Sequence, residues 1–344
     1  AKTHAVADRI AAQDYETALQ MRGGSFEESL RTFRTIVQAQ PRPAVEGRRQ
    51  LRIALLHGGG PAPGMNTAAR AAVRLGIDQG HTMLAVHNGF AGLRNGAVEE
   101  MDWMSVTGWV SRGGAELGTS RHQPEGDAFD AISWQLEAHR IDALMMIGGW
   151  SGYAGAHALH ARRSEHDAFD IPIVCLPASI NNNLPGSELS IGSDTALNSI
   201  VNDVDKIKES AVASRRCFVV EVMGHDSGYL ALMAGLATGA ERVYLPEEGI
   251  TLADLAADVE MLTKGFRHGK RLGLVIRGEN ADPVYSTHFI HSLFEKEGGD
   301  LFDVREAVLG HVQQGGNPSP FDRIQATRLA AKCLEFLVDQ AGRR

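Results

Sequence analysis

The sequence has little cysteine. Only Cys175, Cys217 and Cys333 occur in 344 residues, far apart and each within an apolar run. A disulfide framework or a zinc site requires more cysteines at closer spacing. The composition therefore predicts buried thiols in a reducing compartment.

Long hydrophobic runs are also missing. No apolar run reaches the ~18 residues that span a bilayer, and the N-terminus lacks a basic stretch followed by an apolar one. No membrane partner is expected, and the cytosol is the default location. Lys and Arg number 34 against 42 Asp and Glu, a formal charge of −8, which argues against nucleic acid as a partner.

The chain is instead rich in apolar residues, at 43%, and contains 38 glycines. Apolar runs of strand length alternate with helical patterns along residues 51–340. Such alternation predicts an α/β protein with mostly parallel, doubly wound sheets covered on both faces, as one large unit or two lobes.

Residues 1–50 precede the first strand and carry two short helical patterns, at 6–21 and 25–38. Ser25 and Glu28 have the spacing of a capping box, and residues 41–50 are typical of a loop. We interpret 1–50 as a linker or arm and 51–344 as the main domain, within a fragment of a longer chain.

The most informative stretch lies at residues 172–211. The apolar run 171–176 predicts a buried strand, and a long helix begins at about Asp194. The loop between them reads SINNN at Ser179–Asn183 and contains no carboxylate. In open α/β sheets a ligand lies at the carboxyl ends of strands, so this loop is a candidate binding site.

Other polar residues follow the remaining predicted strands. Arginines, a histidine and neutral donors together favour an anionic, hydroxylated ligand such as a sugar phosphate. We expect them all on loops at one sheet edge. The candidates are Arg121, Ser179, Asn181, Asn183, Arg216, Met223, Glu279, Arg305, His311 and Gln314.

A glycine-rich turn, Gly58–Gly60, follows the first strand and precedes a helix. Glycines let backbone N–H groups approach a phosphate, and a helix start favours an anion. The turn is neither a P-loop nor a clean GxGxxG motif, so a purely structural turn remains an alternative.

Phosphoryl transfer requires a divalent metal held by carboxylates and a group that positions the attacking hydroxyl. The loops at Asn181, Asn183 and Trp150 offer no acid for either task. No metal is therefore expected in this chain.

Four segments resemble the 6-phosphofructokinase family: GGGPAPGMN, SINNNLPGSELSIGSDTALNSIVNDVDKIKES, VVEVMGHDSGYLALMAGLATGA and GHVQQGGNPSPFDR. The resemblance implies two Rossmann-like lobes with a ligand cleft between them. Catalytic members carry TIDND where this chain has SINNN, so the family's base and a metal-binding acid are replaced by Asn181 and Asn183. Trp150 replaces another metal-binding Asp, and Pro61 replaces an Asp of the nucleotide loop at Gly59 and Gly60.

These departures are similar to those of the C-terminal, regulatory halves of tandem eukaryotic-type enzymes of glycolysis. The resemblance implies that the former sugar site binds an effector such as fructose 2,6-bisphosphate. This half would bind no cofactor, whereas a catalytic half would use Mg²⁺ and ATP. The implied effector contacts are Arg121, Ser179, Ile180, Asn181, Asn182, Asn183, Arg216, Met223, Gly224, His225, Glu279, Arg305, His311, Val312, Gln313 and Gln314.

The resemblance further implies a homo-oligomer, a tetramer or larger, in which Arg216 and Arg305 reach into a neighbouring subunit's site. Two alternatives stay open. One is an active kinase, with ATP or pyrophosphate as donor, that uses Asp194, Glu188 or Asp226. The other is a purely structural half that binds nothing.

Overall fold

The computed structural model describes residues 2–44, 46–47 and 49–343. Val45 and Arg48, which belong to the predicted loop 41–50, lie outside the described residues, as do Ala1 and Arg344 at the ends of the predicted segments. In the described ranges the strands form two sheets, of five and four strands.

The first sheet has the order β3-β2-β1-β4-β5. Its strands are β1 Arg52–Gly58, β2 Thr82–Val86, β3 Val98–Met101, β4 Ala143–Gly148 and β5 Ile173–Pro177. All neighbours pair in parallel except β3, which runs antiparallel to β2 at one edge. Such an edge strand is common on an otherwise parallel sheet.

The second sheet has the order β7-β8-β6-β9 and is parallel throughout. Its strands are β6 Arg216–Val222, β7 Arg242–Tyr244, β8 Leu272–Gly278 and β9 Asp303–Val308. The predicted mostly parallel α/β architecture with two lobes is confirmed. The boundary at residue 50 stays a prediction.

Helices cover both faces of each sheet, and three further helices, α1 Lys2–Ala11, α2 Tyr15–Arg22 and α3 Gly24–Gln38, precede β1. The later helices are α4 Met65–Asp78, α5 Gly89–Arg94, α6 Ala128–Ala138, α7 Trp150–Ala161, α8 Ser193–Ser214, α9 Tyr229–Thr238, α10 Leu252–Arg267, α11 Thr287–Gly298 and α12 Pro320–Gly342. None of the helices in these ranges combines the length and the apolar character that a membrane crossing requires.

Alternation along β1 shows how the layers form. Ile53 and Leu55 face a large core shared with α4, α8, α9 and α12 and with the second sheet. Ala54 and Leu56 face a separate core with α5, α6 and α7. Successive strand residues point to opposite faces, so a strand covered on both sides is apolar throughout, which is why the sequence shows continuous runs.

One buried carboxylate, that of Asp322, joins the starts of α8 and α12. Its two oxygens accept hydrogen bonds from the backbone N–H groups of Gly192 and Thr195, each at 2.8 Å. The hydroxyl of Thr195 donates to it as well. Ser319 caps α12 by accepting from the Asp322 N–H at 3.2 Å. Burial raises the pKa of Asp322, and the hydrogen bonds from Thr195 and Gly192 oppose that rise.

The three cysteines are free thiols, as the sequence indicates. Cys217 is buried, and Cys175 and Cys333 are half-buried. Burial raises the pKa of Cys217 to about 12, so this thiol stays protonated at neutral pH. The reducing compartment itself stays a prediction.

Two local predictions for residues 1–50 are wrong. The pattern at 6–21 forms two helices, because Gln13 has a left-handed φ of 58° and Asp14 caps α2 through the Thr17 N–H. The capping box is also wrong, because α3 begins at Gly24 and Ser25 lies inside its first turn. Glu28 instead forms ion pairs with Arg328 and Lys332 of α12.

Replacing Asp322 with Ala should lower the free energy of unfolding by about 2–4 kcal/mol, because buried donors of Gly192 and Thr195 lose their acceptor. Urea denaturation of both proteins measures the loss. Glu335→Ala, an exposed site on the same helix, is the matched control and should change stability by less than about 0.5 kcal/mol. An equal effect of both changes would contradict a role for the carboxylate.

His57 of β1 should make the protein less stable in mild acid. Its side chain is fully buried, both ring nitrogens lack a hydrogen-bond partner among the described residues, and burial lowers its pKa from 6.5 to about 4. The part of the folding stability that depends on a neutral His57 is therefore present above pH 6.5 and is lost as the pH falls toward 4. Between pH 7 and pH 5 this loss is about 2 kcal/mol.

Urea denaturation of His57→Leu at the two pH values tests this expectation. The variant should lose about 2 kcal/mol less than the unmodified chain on acidification. His4→Leu changes an exposed histidine and should leave the loss intact. A loss in His57→Leu as large as in the unmodified chain would rule out His57 as its source.

Candidate functional site

A cleft of about 630 Å³ opens at the carboxyl ends of both sheets. Its lining residues follow directly after β1, β4, β5, β6 and β8, with additions from the segments before β4 and after β9. They are Gly59, Gly60, Pro61, Arg121, Gly149, Trp150, Ser151, Ser179, Ile180, Asn181, Asn183, Met223, His225, Asp226, Glu279 and Gln314. Position and volume are typical of a small-molecule site.

The loop after β5 presents two of its three asparagines to the cleft. Asn182 turns the other way, with a left-handed φ of 51°. Its side chain donates to the Glu188 carbonyl at 3.0 Å and accepts from the Ser190 N–H at 2.7 Å. Asn182 thus supports the loop, and Asn181 and Asn183 are left to face a ligand.

Asn183 carries an unsatisfied polar atom. Its side-chain Oδ1 is buried and has no hydrogen-bond partner in the part of the chain that the structure describes. A buried acceptor without a donor costs about 1–3 kcal/mol. Because Asn183 lines the cleft, a ligand hydroxyl could supply that donor.

The glycine-rich turn lies close to the residues around it. Gly59 has a φ of +94°, and a Cβ there would lie 3.3 Å from the Gly149 nitrogen. A Cβ on Gly60 would lie 3.2 Å from Nε2 of Gln314 and 3.6 Å from Nη2 of Arg121. The turn therefore brings backbone against the one arginine of the cleft wall.

Glu279 and Gln313 organise the wall from the second sheet. Glu279 accepts from the Gly224 N–H at 3.2 Å and from the His225 N–H at 2.5 Å. Gln313 is fully buried, accepts from the Met223 N–H at 3.0 Å and donates to the Gly310 carbonyl at 2.9 Å. Both side chains fix the loop after β6.

The cleft of a single chain is not electropositive. Its lining holds one arginine, Arg121, and two carboxylates, Asp226 and Glu279. Asp226 lies 2.8 Å from Nδ1 of His225. A doubly charged anion would therefore need cations from outside this cleft.

The expectation that all candidates lie on loops at one sheet edge is wrong for two arginines. Arg216 is the first residue of β6 and Arg305 lies within β9. Each approaches Asp303 at 3.6 Å. The seven residues of β6 span about 20 Å, so this pair lies at the opposite end of the sheet from the cleft. The local sequence pattern indicates that each arginine lies near a strand, but it does not indicate at which end of the strand.

The remaining candidates divide into lining and supporting residues. Those outside the cleft wall are Asn182, Gly224, His311, Val312 and Gln313, and of these His311 contacts Gln314 at 2.9 Å. Among the alternative acids, Asp226 lines the cleft, whereas Asp194 and Glu188 do not.

Gly149 and Ser151 line the cleft without having been predicted. They flank Trp150 at the start of α7, directly after β4. The signal was present, because the whole turn after a buried parallel strand faces the ligand edge.

Two sheets with a polar cleft at their strand ends are an arrangement typical of α/β proteins that bind small polar ligands. A family model described as Phosphofructokinase matches residues 52–337. The chain belongs to the phosphofructokinase family.

Comparison with individual relatives supports the same family assignment. The chain is 48% identical over 337 residues to an ATP-dependent 6-phosphofructokinase of Dictyostelium discoideum, a match covering 98% of this chain and 40% of the relative. The Pichia pastoris phosphofructokinase structure matches with a TM-score of 0.94 at 38% identity, covering 99% of this chain and 39% of that one.

The structure of phosphofructokinase from Saccharomyces cerevisiae matches with a TM-score of 0.95 at 38% identity, covering 100% of this chain and 47% of that one. The chain thus spans about two fifths of the length of the curated relatives it matches.

Proposed function

We propose that this chain is the regulatory half of an ATP-dependent 6-phosphofructokinase of glycolysis. Its cleft would bind a sugar bisphosphate such as fructose 2,6-bisphosphate. One observation carries the proposal: Asn181, Asn183 and Trp150 line the same cleft as Arg121, and the motif resemblance implies that they replace three acids of the catalytic family members.

The chemistry of these side chains supports binding over catalysis. An amide neither accepts a proton at neutral pH nor neutralises Mg²⁺, and an indole does neither. Phosphoryl transfer depends on both functions. We therefore assign Mg²⁺ and ATP to a catalytic half, and no cofactor to this one. We likewise interpret the turn at Gly59 and Gly60 as a degenerate form of the family's nucleotide loop.

The neutral polar groups suit the hydroxyls of a sugar. The unsatisfied Oδ1 of Asn183 can accept a hydrogen bond from a hydroxyl, and the hydroxyl of Ser179 can donate or accept. These groups lie on the loop after β5, whereas Arg121 belongs to the segment between β3 and α6. A ligand with hydroxyls at one end and phosphate at the other fits this distribution.

The charges support an oligomer. One arginine against two carboxylates cannot neutralise two phosphates. Arg216 and Arg305, with 32% and 47% of their side chains exposed, have one shared carboxylate partner, Asp303. We propose that they complete the cleft of a neighbouring copy in a tetramer or larger assembly that includes the catalytic half and resides in the cytoplasm.

Asp226 supports a second candidate function. Its carboxylate lines the cleft and contacts His225 at 2.8 Å. A carboxylate–imidazole pair is a possible base for a sugar hydroxyl. The chain would then be an active kinase that takes phosphate from ATP or pyrophosphate.

Isothermal titration of the oligomeric chain with fructose 2,6-bisphosphate should show saturable binding. Arg121→Ala and Arg305→Ala should each weaken it about 10–100-fold, the value of one charge-assisted contact to phosphate. Arg267→Ala, an exposed arginine of α10, should bind normally. Absence of binding at millimolar ligand by folded oligomer would favour the purely structural alternative.

Mixing the two variants separates a shared cleft from a single-chain one. After subunit exchange across a two-fold interface, one site of each hybrid pair has both Arg121 and Arg305, so about one quarter of the sites should regain tight binding. No recovery in verified hybrids would show that the arginines do not act across an interface.

A coupled assay with fructose 6-phosphate should show no turnover with ATP or with pyrophosphate. Turnover that survives repurification, is abolished by Asp226→Ala and persists in Glu188→Ala would overturn the regulatory assignment. Glu188 is exposed and lies outside the cleft wall, so it is the matched acid for comparison.

A further inference from the structure

A second polar cluster lies outside the cleft, where α11 meets the edge strand β9. His288 and His291 lie three residues apart on α11, and Glu306 lies on β9. One ligand atom from each of the three residues lies within 4.8 Å of the others. In the part of the chain that the structure describes, no other group of three His, Cys, Asp or Glu side chains meets this criterion.

The fold itself brings these residues together. Side chains three apart on a helix share a face, and the two imidazole rings are 5.8 Å apart with an interplanar angle of 31°. Val304 of β9 and Phe294 of α11 are buried in the same hydrophobic core. Glu306, two residues later, therefore faces the same helix, and its Oε2 lies 3.3 Å from Nδ1 of His288.

His291 provides an independent observation. Its Nδ1 is buried and has no hydrogen-bond partner among the described residues. In the tautomer that carries its proton on Nε2, this Nδ1 has a free lone pair that can bind a metal ion. Its neighbour His288 is 75% exposed and Glu306 39% exposed, so both can rotate toward a shared ion.

We propose that His288, His291 and Glu306 bind a divalent transition-metal ion of the class of Zn²⁺. Two imidazoles and a carboxylate are a ligand set suited to zinc, with ligand distances of about 2.0–2.2 Å. Tetrahedral ligands at that distance lie about 3.4 Å apart. Because the ligand atoms lie within 4.8 Å of one another, the cluster needs to contract by at most about 1.4 Å, which rotation of the exposed side chains provides. The fourth position stays open to water or to a ligand from another molecule.

The proposal does not depend on the function of the cleft. None of the three residues lines that cleft. A bound ion would link a helix to an exposed sheet edge, and it would stabilise the folded chain because the unfolded chain does not hold the three ligands together.

Titration of the full chain, metal-free and without a histidine tag, with ZnCl₂ tests the proposal. We expect one ion per chain and a rise in melting temperature on metal addition. His288→Ala combined with His291→Ala should abolish binding, and Glu306→Gln should weaken it at least ~10-fold. Co²⁺ should give visible d–d bands that are lost in the same variants.

His157→Ala combined with His160→Ala is the matched control. These residues have the same spacing on the exposed face of α7 but no third ligand within the described ranges, so zinc binding should be unchanged. Glu306→Gln keeps the shape of the side chain, and circular dichroism verifies its fold. Less than half an ion per chain, or equal affinity in Glu306→Gln and the unmodified chain, would overturn the proposal.

Discussion

The hydrogen bonds that the buried carboxylate of Asp322 accepts are the interaction on which the position of the cleft loop depends. This carboxylate accepts hydrogen bonds from Gly192 and Thr195 at the start of α8 while it belongs to the first turn of α12. Helix starts leave N–H groups without internal partners, and a carboxylate is well suited to satisfy them. One side chain therefore fixes two long helices, and with them the loop at 179–191 that carries the cleft asparagines.

The rest of the site follows the same principle, in which a polar side chain holds a loop by its backbone. Asn182 does this for the loop after β5 through Ser190. Glu279 and Gln313 do it for the loop after β6. Because these groups are used internally, the groups left for a ligand are mostly neutral amides and hydroxyls, and Arg121 is the cation. This distribution favours binding over catalysis, although Asp226 also lines the cleft and is the basis of the kinase alternative.

Much of this site could be expected from the chain alone. Ser179, Asn181 and Asn183 follow a short run of apolar residues that is typical of a buried strand, and a parallel strand directs its following loop to the ligand edge. Arg216 and Arg305 were misplaced, because an arginine beside an apolar run gives no information on which end of the strand meets the cleft. Ser25 and Glu28 have the spacing of a capping box, but Glu28 forms an ion pair with Arg328 of α12 instead.

The sequence by itself determined the alternation of strands and helices, the family resemblance and the absence of carboxylates at Asn181, Asn183 and Trp150. Those features are local, since they depend on residue type and on spacing within one element. Only the tertiary structure decided that Asp322 meets Thr195 across 127 positions, that Asn182 turns away from its neighbours, and that His288, His291 and Glu306 converge. Such contacts arise from strand register and helix packing, which join residues far apart in the chain.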